Sequence, residues 1–416
     1  MGQMKAKYGL LAAYLLLGFI ILWSGGFITY GLFHDWPYVL FAVSFFIMFK
    51  RGLKLERKHV FVISVFALVA LLQSLLFQGP ITSIIYPTFR FLAIAMVAVI
   101  IRPYLNHAFI YLTAFFAFFS LIFWVVDVTP AGHSFLFALA SDLPQFGADA
   151  LTELNIERYG FENYSLYFYT VSTKESDFIG LIARNYGPFY EPGRFTIPLC
   201  ISLAIILFTG SIKKYRVPFI LILIANITTF STTGYLVMII LFAGYYLGLS
   251  KAGSIYKYAM LLLVIIGSYY LMGLSFMGDK IAIALDDTDV ANTRFGAMLY
   301  HLPQIAESPW IGHGAFLGNL YNDLEMSPCG ITDMMRIWGV PMFIVCVVLL
   351  YQGTRSFLTD NRIYRFVFVV ALLFMAYTQT IMTDPLFYLF YFIGTRDGKQ
   401  AAGTDGMRYR IRYTCT

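Results

Sequence analysis

Apolar runs long enough to cross a membrane recur along this chain, and no other feature limits its fold so strongly. A helix needs about 20 residues to cross roughly 30 Å of hydrocarbon. It is one of the few structures that satisfies its own backbone there. Twelve candidate stretches follow: 8–30, 35–50, 59–78, 81–101, 107–128, 194–211, 216–230, 233–250, 256–274, 331–353, 362–379 and 381–395. The regions 216–250 and 362–395 are each too long for one helix, and the breaks at Ser231-Thr232-Thr233-Gly234 and Thr383-Asp384-Pro385 divide each into two short ones. Of the 416 residues, 59% are hydrophobic and only 12% are charged, where soluble chains carry about 25% charge. That balance argues against a soluble enzyme, a disordered protein and a coiled coil. The expected fold class is an all-α polytopic membrane protein, a single integral domain over 1–416 with about 12 transmembrane helices. The first run, Tyr8 to Trp23, continues without a clear cleavage site and reads as a span, not a signal peptide.

Charge orients the spans. The two termini and the short connections on their side hold 21 of the 29 Lys and Arg. The positive-inside rule therefore places both termini, with the tail 396–416, in the cytoplasm. The two long loops, 131–193 and 275–330, then face outward, and they hold 15 acids but only five basic residues. The net charge of +6 thus reports topology, and no nucleic-acid partner is expected. The four cysteines, Cys200, Cys329, Cys346 and Cys415, have no metal-ligand spacing, so neither a disulfide framework nor a structural metal is expected. No internal repeat is visible, which weakens an inverted-repeat transporter reading.

Three arginines fall in or near the outer halves of spans. Arg90 lies nine residues into its span, about 14 Å deep at 1.5 Å per residue. A charge facing lipid there costs roughly 2.5–3.5 kcal/mol on insertion scales, so Arg90 should face the protein interior or a groove. Arg194 and Arg336 lie near the outer helix ends, where snorkelling or pairing with a helix C-terminus is an equally simple account.

The first loop ends in Arg184-Asn185-Tyr186-Gly187-Pro188-Phe189-Tyr190-Glu191-Pro192-Gly193-Arg194. Its Pro and Gly fix a turn and permit close backbone approach. Its arginines offer planar forks that match phosphate oxygens, and Glu191 can orient them or act as a base. A plain re-entry turn with a Glu191–Arg194 pair fits the same residues. The second loop carries Arg294, His301 and then Ser308-Pro309-Trp310-Ile311-Gly312-His313-Gly314, and residues 294–310 suit an amphipathic helix at the membrane surface. The glycines follow no strand and lack the dinucleotide fingerprint. Eleven Phe and Tyr between Phe146 and Tyr190 suit either sugar stacking or an interfacial aromatic belt.

The run Arg184-x-x-Gly187-x-Phe189-x-Glu191-Pro192-Gly193 resembles the bacterial O-antigen polymerase (Wzy-type) family. So do the second-loop pattern from Arg294 to Gly314 and the segment Thr229-Phe230-Ser231-Thr232-Thr233-Gly234-Tyr235. The resemblance implies a GT-C-like architecture in the bacterial inner membrane and transfer of a growing glycan from undecaprenyl diphosphate onto a new lipid-linked repeat unit at the periplasmic face. It further implies lipid-linked donor and acceptor glycans, membrane lipid and a chain-length regulator protein as partners. O-antigen ligases are related, but typically carry a His-Asn pair where this chain reads Thr332-Asp333-Met334-Met335-Arg336. That departure favours polymerase over ligase and leaves the base open among Glu191 first, then Asp333 and His301, with His313 behind them. Arg184 and Arg294 are the expected diphosphate ligands, with Arg90 and Arg194 in support. No cofactor and no metal is expected, because arginines can hold the leaving charge. A flippase is the alternative from another class, although it would need cations along the whole crossing path.

Overall fold

The computed structural model describes residues 2–30, 36–145, 152, 156, 161–173, 183–248, 262, 294–314 and 329–394. All of the candidate span 256–274 but residue 262, the tail 396–416 with Cys415, and large parts of both long loops lie outside the described residues. What is described is helical apart from one short hairpin, β1 (Asn163–Ser165) paired antiparallel with β2 (Thr170–Ser172).

The chain runs back and forth between two ends. Helices α1 (Gly2–Trp23), α2 (Phe27–Tyr30), α3 (Trp36–Arg51), α4 (Arg57–Leu76), α5 (Thr82–Ile101) and α6 (Leu105–Asp127) come first, followed by the loop helix α7 (Pro130–Ser141). After the hairpin come α8 (Pro192–Phe208), α9 (Arg216–Thr228), α10 (Thr232–Gly248), α11 (Arg294–Glu307), α12 (Gly330–Trp338), α13 (Val340–Gly353), α14 (Arg362–Thr378) and α15 (Pro385–Ile393). The basic turns meet at one end. Arg51 donates to the Tyr8 carbonyl at 3.0 Å, and Arg102 donates to the Ile393 carbonyl at 2.9 Å and to Glu56 at 2.6 Å. Asn361 donates to the Gly248 carbonyl at 3.2 Å. The Arg184–Arg194 segment lies at the opposite end.

α5 is the hub for α1, α3, α4 and α15, while α6, α9 and α10 pack around α8. All 17 residues of α8 and all nine of α15 are buried. The outward faces of the surrounding helices are apolar instead: Phe45 and Phe49 on α3, Phe61 and Leu75 on α4, and Val217 on α9 are exposed.

Among the described residues, two helical stretches are long and apolar enough to cross a membrane, Arg57–Leu76 and Thr82–Asp127, the second containing α5 and α6. Several other expected spans are shorter than anticipated. The stretch 331–353 divides into α12 and α13 at Gly339, whose φ of +81° a side chain rarely adopts. A Cβ there would sit 2.6 Å from the Trp310 carbonyl oxygen, so the second loop occupies the break. The stretch 381–395 is helical only over the nine residues of α15, because 379–384 form a hydrogen-bonded link. The stretch 8–30 stops at Trp23, where Ser24-Gly25-Gly26 turns the chain.

Candidate functional site

The end of α1, the first turn of α8 and the first turn of α15 converge on one cluster. The loop before α8 is fastened to α1 by a Phe27 amide bond to the Pro188 carbonyl (3.0 Å) and a Tyr190 amide bond to the Gly25 carbonyl (3.3 Å). Ser24 Oγ accepts from the Leu386 amide at 2.9 Å and so holds the start of α15. Gly187 makes the turn between these contacts with φ +54°, and a Cβ there would fall 2.7 Å from the Phe195 ring.

Arg194 is buried and committed. Its Nη1 pairs with Asp384 and its Nη2 donates to Thr380 Oγ1 at 2.8 Å. Asp384 is the N-cap residue of α15, a position that favours a carboxylate, because the helix leaves its first amides unsatisfied. Glu191 holds the corresponding place on α8, and its Oε1 accepts from Gln379 Nε2 at 2.9 Å. Gly193 lets this happen, since a Cβ there would lie 2.6 Å from that Nε2. Arg90 faces inward, as its depth on α5 demands. It donates to the Thr383 carbonyl at 2.8 Å, lies 5.1 Å from the Tyr388 ring centre and is within electrostatic reach of Asp384. Its Nε is buried without a partner among the described residues. The cavity beside Arg194 and Asp384 measures about 10 Å³, room for about one water.

Arg184 does not join that pair. Its Nε and Nη2 donate to the Thr229 and Phe230 carbonyls, both at 3.2 Å, and so cap the end of α9. The Thr229–Tyr235 run therefore acts as the seat of Arg184, and Phe230 there has φ +46°. Asn185 pins the same place through Thr228 Oγ1 (2.9 Å) and Ser120 Oγ (3.2 Å). Arg294 opens α11, but its side chain lies outside the described residues.

A second group forms where α11 meets α12. His301 Nδ1 is 2.9 Å from Thr332 Oγ1, and Asp333 accepts from Arg336 at 2.8 Å. Burial pushes His301 down to about 4, with Asp333 pulling it up and Arg336 pushing it further down. It is thus neutral at pH 7. The Ser308–Gly314 motif lies over the α12–α13 break, with the Val340 amide on the Pro309 carbonyl and the His313 amide on the Arg336 carbonyl, both at 2.8 Å. His313 Nε2 is engaged with the Gln304 carbonyl at 2.7 Å. Gln73 of α4 ties the two segments together through the Ile311 and Ile337 carbonyls.

One arrangement escaped the sequence reading. Asp127, buried at the end of α6, accepts from Tyr169 Oη at 2.7 Å and lies 2.8 Å from His133 Nδ1. Tyr169 also reaches the Arg184 carbonyl at 3.5 Å, so the three residues brace the first-loop motif from behind. The bond to Asp127 raises the His133 pKa and outweighs the opposing effect of burial. A raised folded-state pKa stabilises the fold below the unfolded value of about 6.5 and loses that effect as pH rises through the folded value. We expect His133→Asn to lower the melting temperature below about pH 6.5 and to match wild type well above it. A difference that is constant across pH in paired melting curves would rule this out. Tyr169, Tyr186 and Phe189 of the aromatic-rich loop are buried, so those three rings are core and not sugar platforms.

Among the described residues, no group of three or more His, Cys, Asp or Glu could hold a metal ion. The cluster can fix charge at one end of the helices, present Glu191 as a carboxylate held on one oxygen, and keep two arginines from lipid or bulk water. No family model, no curated protein and no solved structure matches the chain.

Proposed function

We propose that this chain is an inner-membrane polymerase of undecaprenyl-diphosphate-linked oligosaccharide repeat units, with its reacting centre at the end marked by Glu191 and Arg194. The observation that carries this reading is the convergence of Glu191, Arg194, Asp384 and Arg90 where α1, α8 and α15 meet. The proposed topology has about twelve spans, both termini in the cytoplasm and the two long loops in the periplasm. Two helices of crossing length among the described residues support a membrane location, as do the exposed apolar faces of α3 and α4, which water would penalise.

In the proposed step, Glu191 takes the proton of an acceptor sugar hydroxyl. The hydroxyl oxygen attacks the anomeric carbon of the donor glycan, and the bond to undecaprenyl diphosphate breaks. The departing diphosphate carries the electron pair, and we assign stabilisation of that charge to the guanidinium groups of Arg184 and Arg294, with Arg90 in support. Polymerase is preferred to ligase because α12 offers Thr332 and Asp333 and no histidine.

Incubating the purified protein with a lipid-linked repeat unit tests the assignment. A ladder of longer glycans is the expected result. Transfer only to lipid A core would replace it with the ligase reading, and movement across vesicles without new bonds with the flippase reading. Topology has its own check. Cysteines placed at Asp149 and Asp289 should react with an impermeant reagent in cells with a permeable outer membrane, and protection of either would reverse the orientation.

A further inference from the structure

The basic end contains a cavity that the proposed reaction does not use. It measures about 340 Å³ and opens where the Arg102–Leu105 turn, the Thr209–Tyr215 turn and Ser356–Phe357 meet. Arg102, Lys214 and His107 line it, together with Asn106, Thr209 and Ser211, and no carboxylate does. Its volume lies in the usual range for small-ligand sites, about 300–1,000 Å³.

Two of the lining residues are held in place by the fold. Arg102 spends Nε on the Ile393 carbonyl and Nη1 on Glu56, while its Nη2 is buried with no partner among the described residues. Asn106 spends Nδ2 on the Phe357 carbonyl at 2.7 Å, and its Oδ1 is likewise buried and unpaired. Both unpaired atoms are sealed from the cavity, so the case for an occupant rests on the charge and polarity of the lining. Lys214 adds a second cation, 4.8 Å from the Tyr215 ring centre. One acceptor-rich anion in the cavity would meet both of the cations that line it, Arg102 and Lys214. Ser211 offers a hydroxyl beside it.

We propose that this cavity binds a phosphate ester, held by Arg102 and Lys214. The shared chemistry is a phosphate oxyanion on a small hydroxyl-bearing headgroup. It can come from an anionic phospholipid, as basic pockets between membrane helices commonly do, or from a soluble phosphate ester. The site is separate from Glu191 and Arg194, so it stands or falls apart from the polymerase reading.

The test uses the full chain in detergent and two probes, phosphatidylglycerol and glycerol 3-phosphate. Lipid retention is read by native mass spectrometry, with phosphatidylcholine as the comparison, and the soluble ester by thermal shift. Lys214→Gln is the test variant, and Lys54→Gln is the charge-matched control, exposed and outside the cavity. Losing one charged hydrogen bond weakens binding roughly 10-fold or more. Phosphatidylglycerol retention that Lys214→Gln reduces and Lys54→Gln does not would support the site with lipid as its source. Glycerol 3-phosphate stabilisation with the same pattern would support it with a soluble source. Binding of neither probe would overturn the proposal, as would equal loss in the two variants or none in Lys214→Gln.

Discussion

Asp384→Leu and Arg194→Met, made singly, should each destabilise the protein by about 3–5 kcal/mol, because each leaves its partner charged and buried without its direct ion-pair contact. The two changes together should recover much of that loss, since a buried pair replaced by apolar groups of similar volume is often neutral. Arg194 is only 6% exposed, which removes the solvent screening that makes surface pairs weak. The pair joins the first turns of α8 and α15, so the loss should appear as lower cooperative stability and not as local fraying. Denaturant titration in detergent reads this directly. Single variants within about 1 kcal/mol of wild type would show that the pair contributes little.

The second large effect concerns rate. On the proposed polymerase reading, Arg184→Ala should lower glycan polymerisation by about 10²–10³, the usual loss for one charge-stabilising donor. Arg184→Lys should recover little, because Arg184 bonds two carbonyls at once, at Thr229 and Phe230, and an ammonium cannot hold both and still face a diphosphate. Arg294→Ala should fall by a similar factor. The capping contact gives Arg184 a plain structural duty as well, so rate and melting temperature must be read on the same preparations. A loss of stability without a loss of rate at matched folded protein would reduce Arg184 to a helix cap.

How much of this could be read from the chain alone depends on the kind of information each residue carries. The inward placement of Arg90 was legible, because a charge deep in an apolar run has few affordable positions. The same argument applied to Asp127, at the end of the apolar run 107–128, would have exposed its need for His133 and Tyr169. The pairing of Arg194 with Asp384 was not legible, since 190 residues separate the two and nothing local couples them. Arg184 read as a free fork because sequence reports a donor's type and not which carbonyls a neighbouring helix end leaves unsatisfied. Among the helices, α4, α5 and α6 lie close to their expected stretches. The stretch 331–353 misled because its apolar content hid Gly339 with Pro341 close behind, a break that local rules do recognise.

The full burial of α8 and α15 has a consequence for how the molecule opens. A helix with an outward face can loosen from its neighbours and expose amides while the rest stays folded. Neither α8 nor α15 has such a face, so their amides exchange only when the surrounding helices part. The Arg194–Asp384 contact therefore joins two fully buried helices among the described residues. Partial openings that free α3 or α7 leave it whole, and Glu191, one residue before α8, keeps its position through them.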